Sequence, residues 1–319
     1  MPIPVIEARD LRRTFRTRRG PVEAVAGVHL TVEAGAVFGF LGPNGAGKTT
    51  TLRMLATLLP PDGGEATVAG CDLRREPARV RRRIGYVGQR SGADPAVSGR
   101  SELAFQGRIY GLGAGPAARR AAELLAALEL EACADRPTGT WSGGQRRRLD
   151  VALGMVHEPA LLFLDEPTTG LDPQGRARMW DEVRRVRDAG TTVFLTTHYL
   201  EEADALCDRV AIIDRGRIVA EGTPDQLKRQ VAGDVVRLGV AGDPAVALEL
   251  LAAQPFVREA QVADGGVRLA VDRGEVALPA ILRLFDGAAL ELREIALTRP
   301  SLDDVFLRQT GRSLRESAA

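Results

Sequence analysis

The sequence has 319 residues, of which 45% are hydrophobic and 27% are charged, and its formal net charge is +1. This length and composition predict two globular domains with enough apolar material for buried cores. The small net charge argues against a strong general attraction to nucleic acid or anionic lipid, and no apolar run approaches the ~18 residues that a membrane span needs. Three scattered cysteines without a CxxC pair favour a reducing, intracellular compartment.

In chain order, the first strong pattern is an apolar strand at 36–41, followed by a glycine-rich loop and by helical apolar spacing at 51–59. The loop sequence GPNGAGKTT fits G-x-x-x-x-G-K-S/T in the strand–loop–helix context of a phosphate-binding loop. Backbone N–H groups and the helix N-terminus would hold phosphates, with Lys48 at the β- and γ-phosphates and Thr49 on Mg²⁺. A glycine-rich turn without a ligand is the alternative, which the flanking elements disfavour. The predicted nucleotide-binding residues are Gly42, Pro43, Asn44, Gly45, Ala46, Gly47, Lys48, Thr49 and Thr50.

A helical subdomain is predicted at about 95–158, because this region has no strong strand pattern and is rich in Ala, Leu and Arg. Within it, WSGGQRRRLD at 141–150 has the character of a second anion-binding segment. Ser142 can donate a hydroxyl, the two glycines that follow admit close approach, and a helix beginning near Gln145 directs its positive end at an anion. We interpret the side chains of 146–148 as solvated or packed along that helix.

Two further apolar strands are predicted at 160–167 and 191–198, with a helix at 175–190 between them that Gly190 closes. Continuous apolar strands that alternate with helices predict a parallel sheet covered on both faces. Ligands of such sheets bind at the carboxyl ends of the strands. The glycine-rich loop follows one such end, so the polar residues after the other two strands are expected close to it.

Three of these polar residues are predicted to act on the nucleotide. Asp165 would hold Mg²⁺, and Glu166 would polarise the attacking water. An acid at a helix start or in a salt bridge is the alternative for Glu166. A core histidine is the alternative for His198, but its place at the same sheet edge favours the site.

After about residue 228 the pattern changes to the order β-α-β-β-α-β, with a hairpin around Asp264-Gly265-Gly266 and a final helix that Ser301 caps. This order predicts a small ferredoxin-like α+β domain with one added helix. We therefore expect an α/β protein. A P-loop NTPase sheet domain with an inserted helical subdomain would occupy 1–228, and an accessory or regulatory domain would occupy 229–319.

Together these motifs resemble the ATP-binding subunits of ABC transporters. GPNGAGKTT is similar to Walker A, LLFLDE to Walker B, and WSGGQ to the LSGGQ signature with Trp141 in place of leucine. The resemblance implies Gln89 as the Q-loop residue beside Mg²⁺ and the γ-phosphate, Asp172 in TTGLDP as the D-loop residue, and His198 as the switch histidine. Phe15 in LRRTF is implied as the aromatic that stacks on adenine.

The stretches FGFLGPNGAGKTTTLRMLATLLPPDGG, RRRLDVA and RPSLDDVFLRQTG resemble the drug-resistance subfamily typified by the daunorubicin exporter ATPase. The family implies a head-to-tail homodimer in which Walker A of one subunit and the signature of the other hold each ATP. The signature residues concerned are Ser142, Gly143, Gly144 and Gln145.

The family also implies ATP hydrolysis with Mg²⁺ and a separate polytopic membrane permease as partner. The expected place is the cytoplasmic face of the cell membrane, as a peripheral subunit, and the expected cargo is a drug or hydrophobic natural product. The alternative is a soluble ABC ATPase that acts on nucleic acid or ribosomes. Such proteins usually carry two ATPase domains in one chain, whereas this sequence has one Walker A and basic clusters without interleaved aromatics, so no nucleic-acid partner is expected.

Overall fold

The computed structural model describes residues 4–18, 20–231, 234–241, 243–263, 266–288, 290–298 and 301–311. The chain divides into two compact units, one ending at Thr223 and the other beginning at Pro224. The boundary expected between 228 and 229 lies a few residues later, inside the helix Pro224–Val231. That helix packs against the last helix of the second unit and therefore belongs to the second unit over its whole length.

The first unit combines two sheets with helices. Its elements in chain order are β1 (Pro4–Thr17), β2 (Gly20–Glu33), β3 (Val37–Leu41), α1 (Lys48–Leu55), β4 (Gly63–Val68), β5 (Cys71–Asp72), α2 (Pro77–Arg83), β6 (Ile84–Val87), α3 (Gly99–Ile109), α4 (Ala114–Ala127), α5 (Gly143–Met155), β7 (Leu161–Asp165), α6 (Pro173–Asp188), β8 (Thr192–Thr197), α7 (Leu200–Leu206), β9 (Arg209–Asp214) and β10 (Arg217–Gly222). The helix predicted at 51–59 is α1, which begins earlier, at Lys48, and ends at Leu55. The helix does not continue to residue 59, because Thr57 adopts a left-handed φ of 61°.

The larger sheet has the strand order β10-β9-β3-β8-β7-β6. Strands β9, β3, β8, β7 and β6 run parallel, and β10 pairs antiparallel at the edge. Phe38, Phe163 and Phe194 from three neighbouring strands are buried and pack ring to ring, with centroids 5.5 Å apart in each pair with Phe194. The predicted parallel sheet is confirmed, and β3, β7 and β8 bring their carboxyl ends to one edge.

The second sheet of this unit was not predicted. It has the order β2-β1-β4-β5 with antiparallel pairing throughout. Strands β1 and β2 alternate between buried and exposed residues along much of their length, which is the period of a half-buried sheet. Between the two sheets, α1 contributes Leu52, Met54 and Leu55 to a common core.

The helical subdomain predicted at about 95–158 is confirmed as α3, α4 and α5 with two short 3₁₀ turns. Trp141, which stands where the family signature has leucine, is buried and donates from Nε1 to the carbonyl oxygen of Arg136 at 3.2 Å. A Cβ at Gly99 would collide with the ring of Trp141. The indole therefore packs directly on the first turn of α3, and the substitution affects packing inside the subdomain.

The second unit contains α8 (Pro224–Val231), β11 (Asp234–Val240), α9 (Pro244–Ala252), β12 (Val257–Ala263), β13 (Gly266–Val271), α10 (Gly274–Gly287), β14 (Leu292–Thr298) and α11 (Leu302–Thr310). Its sheet order β12-β13-β11-β14 with antiparallel pairing confirms the predicted ferredoxin-like arrangement. Ser301 caps α11 in a capping box with Asp304, as predicted. In the predicted hairpin turn, Asp264 and Gly265 lie outside the described residues.

Candidate nucleotide-binding site

The Gly42–Gly47 loop joins β3 to α1 in a tight path that depends on glycine. A Cβ at Gly42 would collide with the carbonyl oxygen of Ile213. A Cβ at Gly47 would collide with that of Ala24, and Gly47 also has a φ of 105°. Only glycine fits both positions without moving the backbone. Asn44 and Gly45 at the crest of the loop are exposed, whereas Pro43 and Ala46 are buried.

The Lys48 side chain is 4% exposed and turns back into the loop. Its Nζ donates to the carbonyl oxygens of Gly42 at 2.7 Å and Pro43 at 3.1 Å, and lies 3.5 Å from Oε1 of Glu166. Burial lowers the pKa of the Lys48 ammonium, and the nearby carboxylates oppose that effect. A buried cation of this kind would be stabilised by a bound anion, because a phosphate restores the solvation that burial removes.

Asp165 ends β7 and is fully buried. Its Oδ1 accepts from the hydroxyls of Thr49 at 2.9 Å and Thr196 at 2.7 Å. Thr196 is within reach because it is the register partner of Asp165 on the neighbouring strand β8. Its Oδ2 is buried and has no hydrogen-bond partner in the described part of the chain. Nε2 of Gln89 lies 3.5 Å from the Thr49 hydroxyl. An unpaired carboxylate oxygen beside a hydroxyl and an amide is an oxygen donor set that suits Mg²⁺.

Glu166 follows Asp165 with a left-handed φ of 48°, unusual for a residue with a side chain. Its backbone N–H lies 3.1 Å from both the carbonyl and the hydroxyl oxygen of Thr196. The carboxylate lies 3.4 Å from Nδ1 of His198 and accepts from Thr169 at 3.2 Å. Burial alone would raise the pKa of Glu166, but His198 and Lys48 outweigh it and leave the pKa lowered. Glu166 is therefore a carboxylate at neutral pH.

The signature segment lies at the start of α5, which begins at Gly143 and so earlier than the position near Gln145 expected from the sequence. The Ser142 Oγ accepts from the Gln145 N–H at 3.2 Å, and Oε1 of Gln145 accepts from the Ser142 N–H at 2.9 Å. A Cβ at Gly143 or Gly144 would meet no atom within 4 Å. The fold of this chain therefore does not require glycine at either position.

The signature and the predicted D-loop residue line one cleft of about 380 Å³. Asp172 caps α6 there, with Oδ1 accepting from the Gly175 N–H at 2.8 Å. Among the described residues, no hydrogen bond joins Ser142–Gln145 to the Gly42–Thr49 loop. The structure thus brings Lys48, Thr49, Gln89, Asp165, Glu166 and His198 together and leaves the signature as a separate group.

Two predicted residues stand apart from these contacts. Phe15 is 36% exposed on β1, and the guanidinium of Arg13 lies 5.2 Å from its ring centroid. Thr50 is half-buried in the first turn of α1. Neither makes a described contact with the carboxylates of the site.

The expectation that side chains 146–148 are solvated or packed along the helix is wrong for Arg147. Arg147 is buried, and its guanidinium donates to three backbone carbonyls, those of Pro167, Gly88 and Asp165. Asp150, Val151 and Gly154, three, four and seven positions later, lie on the same helix face and are also buried, but only Val151 is an apolar signal in the sequence.

Comparison with known proteins agrees with this geometry. The family model for ABC transporters matches residues 25–169, and the model for the C-terminal domain of DrrA1-3-like ATP-binding proteins matches residues 222–310. The chain is 46% identical over 305 residues to a daunorubicin resistance ATP-binding protein of Streptomyces coeruleorubidus, covering 95% of each chain. It is 47% identical over 325 residues to the daunorubicin/doxorubicin resistance ATP-binding protein of Streptomyces peucetius, covering 99% of this chain and 97% of that one.

Among solved structures, the ATP-binding subunit of an ABC transporter superposes with a TM-score of 0.62 at 27% identity, covering 71% of this chain and 92% of that one. The curated relatives match nearly the full length of the chain, and the solved structure matches its larger part. The chain therefore belongs to the ATP-binding subunits of ABC transporters, in the family of the daunorubicin-resistance ATP-binding proteins.

Proposed function

We propose that this chain binds MgATP at the Gly42–Thr49 loop and hydrolyses it to power export of a drug or hydrophobic natural product through a separate membrane subunit. The supporting observation is two groups of contacts. Glu166 lies within ion-pair distance of Lys48 and His198, and Thr49 is hydrogen bonded to Asp165. These contacts bring together, at one sheet edge, the residues proposed as phosphate-binding cation, base and metal ligand. The drug-resistance relatives support the class of cargo.

The chemistry requires a base for the attacking water and stabilisation of negative charge on the transferred phosphoryl group. Glu166 suits the first role because its lowered pKa keeps it ionised at neutral pH, and His198 orients its carboxylate. As water attacks the γ-phosphorus and the bond to the β–γ bridging oxygen breaks, the water proton passes to Glu166. Lys48 suits the second role, because a compact ammonium fits between phosphate oxygens. Phe15, exposed on β1, is the proposed stacking partner of adenine.

The residues present fit Mg²⁺. Asp165 has a buried carboxylate oxygen without a partner in the described chain, the Thr49 hydroxyl is hydrogen bonded to its other oxygen, and Gln89 lies beside Thr49. These three residues would hold the ion. When bound, Mg²⁺ neutralises charge on the β- and γ-phosphate oxygens.

A second copy of the chain is proposed to complete each site. Ser142–Gln145 has the features of an anion site, namely a helix N-terminus that Ser142 caps and two unhindered glycines. It is not joined to the loop of its own chain, and its glycines are not required by its own fold. A segment shaped for close approach from outside suits the γ-phosphate of a neighbouring subunit in a head-to-tail dimer.

The test mixes two inactive variants. The Ser142→Arg subunit, called the loop donor, keeps an intact Gly42–Thr49 loop, and the Lys48→Ala subunit, called the signature donor, keeps an intact signature. Paired head to tail, they rebuild one complete site. We expect each variant to be inactive alone and the mixture to regain ATPase activity that is maximal near equal amounts, at fixed total protein.

If the signature served the ATP of its own chain, every site in the mixture would still carry one lesion. An inactive mixture, with subunit exchange verified by fluorescence transfer, would therefore count against the shared site. Trapping of nucleotide by the mixture is the companion measurement, because it detects closure of one site even when turnover needs two. Lys228→Ala, which removes the only other lysine and lies in α8, is the matched control for Lys48→Ala and should stay active without a partner variant.

Coupling to a membrane subunit is proposed at the cleft beside the Gln89 loop. This cleft has a volume of about 420 Å³ and is lined by Leu58, Tyr86, Gln106 and Tyr110 among others. Large apolar side chains are exposed on and near it, including Leu58 and Tyr110 at its wall and Phe105 and Ile109 on α3. Exposed apolar side chains grouped in this way mark protein interaction surfaces.

No helix in the described parts of the chain is long and apolar enough to cross a bilayer. The family of the chain supports a membrane-spanning part in another subunit, because its relatives are named as ATP-binding proteins. Docking on that subunit would place this chain at the cytoplasmic face of the cell membrane.

A further inference from the structure

Arg147 is a buried cation that the chemistry above does not use. It is 8% exposed, and no carboxylate of the described chain lies within ion-pair distance of it. Its Nε donates to the Pro167 carbonyl at 2.9 Å, and its two terminal nitrogens donate to the Gly88 carbonyl at 2.6 Å and the Asp165 carbonyl at 3.1 Å. Burial lowers the pKa of this guanidinium, and the charges of Asp150 and Asp165 oppose the effect.

The three carbonyls belong to the segments that carry the reacting groups. Asp165 and Pro167 stand immediately before and after Glu166, so Arg147 holds the backbone on both sides of the proposed base. Gly88 immediately precedes Gln89. A planar guanidinium has donors in a rigid fork and can bond three fixed acceptors at once, which a lysine ammonium on a flexible stem cannot do with the same geometry.

Asp150, one turn further along α5, holds the other side of the Gln89 loop. Its Oδ1 accepts from the Ser91 hydroxyl at 2.8 Å and from the Gly92 N–H at 3.3 Å. Residues three apart lie on the same helix face. Helix α5 is therefore hydrogen bonded to the loop on both sides of Gln89, through Arg147 before it and through Asp150 after it.

We propose that Arg147 is a positioning residue, which fixes Glu166 and Gln89 of its own chain against the signature helix α5. The inference rests on the proposed function, because α5 begins with the segment that would receive the neighbour's γ-phosphate. A displacement of α5 when the neighbour's ATP binds would then be passed directly to the backbone around the base. Burying a charge without an ion-pair partner is costly, and an apolar residue of similar volume would suffice if α5 needed only packing.

The test places Arg147→Lys in one subunit of the mixed pair at a time. In the loop donor, the substitution lies in the chain whose Glu166 and Gln89 serve the working site. There we expect kcat to fall about ten- to hundredfold with little change in KM, because a small displacement of a reacting group is expensive. In the signature donor the same substitution should have little effect on kcat.

A purely structural role would give a different result. Equal losses of kcat in the two placements, together with a lowered midpoint of thermal unfolding, would overturn the proposal, as would full activity in both. Arg146→Lys, a neighbouring half-buried arginine, is the matched control, and Arg147→Gln is the second variant if Arg147→Lys folds poorly.

Failure of the shared site is recognised separately, because the unmodified pair of donors would then be inactive. In that case the positioning role of Arg147 is tested in a protein whose subunits all carry Arg147→Lys and no other substitution. Loss of kcat at constant KM relative to Arg146→Lys would support positioning, and unchanged kcat would refute it.

Discussion

Glu166 sits at the junction of the two strands that build the site. Its left-handed backbone and its N–H contacts with Thr196 direct its carboxylate toward both Lys48 and His198. A left-handed conformation in a residue with a side chain stores strain of about 1–3 kcal/mol, which persists only where the surroundings enforce it. Here β7 and β8 enforce it, and the result is an ionised carboxylate held between the Lys48 ammonium and the His198 ring.

Replacement of that carboxylate should separate binding from turnover. Glu166→Gln keeps the shape of the side chain but cannot accept a proton from water, so we expect MgATP binding to persist and kcat to fall by about 10²-fold or more. A dimer holding unhydrolysed ATP should then accumulate, which size-exclusion chromatography with and without MgATP will reveal. Glu201→Gln, on an exposed position of α7, is the control. A Glu166→Gln protein that stays monomeric and turns over normally would refute the role of Glu166.

At the scale of one element, α6 shows how a helix can carry a buried charge on an otherwise apolar face. Its buried residues Met179, Glu182, Val183 and Val186 follow helical spacing. Oε1 of Glu182 accepts from Arg185 at 3.0 Å, whereas Oε2 is buried without a partner in the described chain. Burial raises the pKa of Glu182, and the charge of Arg185 only partly opposes this.

Glu182→Gln should therefore stabilise the protein in a pH-dependent way. The pKa of Glu182 is higher in the folded protein than in the unfolded chain. Between these two pKa values the native state retains a proton that the unfolded state has lost, so the stability of the wild type falls as pH rises through this window. The amide has no such dependence. The variant's free energy of unfolding, relative to wild type, should rise with pH across the window and then level off.

Urea unfolding at several pH values, followed by tryptophan fluorescence, measures this difference. The only two tryptophans, Trp141 and Trp180, both lie in the first unit, so the signal reports that unit alone. Asp181→Asn, an exposed neighbour, supplies the comparison. A stability difference that is constant or falls with pH would contradict the raised pKa.

At the scale of the whole molecule, each unit has a core of its own. The first unit is built around Phe38, Phe40, Phe163 and Phe194, and the second around a set that includes Leu269, Ile281 and Phe285. Every residue proposed to touch nucleotide lies at or before His198. A unit with its own core is expected to fold independently.

A chain that ends at Thr223 should therefore still bind MgATP, with a Kd close to that of the full chain. Binding of a fluorescent ATP analogue measures this, and full-length Lys48→Ala, with weakened binding, marks the low end of the scale. A truncated chain that is folded by circular dichroism but does not bind the analogue would show that the second unit supports the site. Intact binding would support the hypothesis that the second unit serves dimerisation or assembly with the membrane partner rather than ATP chemistry.

The local motifs were predictable because their physical requirements lie within a few consecutive residues. A glycine-rich loop between an apolar strand and a helix specifies a phosphate cradle wherever it occurs. The apolar strands at 36–41, 160–167 and 191–198 predict one parallel sheet. Thr49 in the loop after the first strand, and Asp165, Glu166 and His198 at the ends of the other two, are then expected at the same edge of that sheet. The alternation of elements after residue 228 likewise predicts the ferredoxin-like sheet.

Other features depended on residues that are distant in sequence. Thr196 bonds to Asp165 only because β8 lies beside β7, and the sheet of β1, β2, β4 and β5 was not predicted because its apolar pattern is interrupted by bulges. Arg147 meets carbonyls that lie 18 to 59 positions away. The sequence alone determined the glycine-rich loop, the parallel strands β3, β7 and β8, and the order of elements after residue 228, since these follow from local periodicity and chemistry. The tertiary structure alone decided which side chains brace the site, since a buried donor bonds whichever carbonyl the packing of distant segments brings within reach.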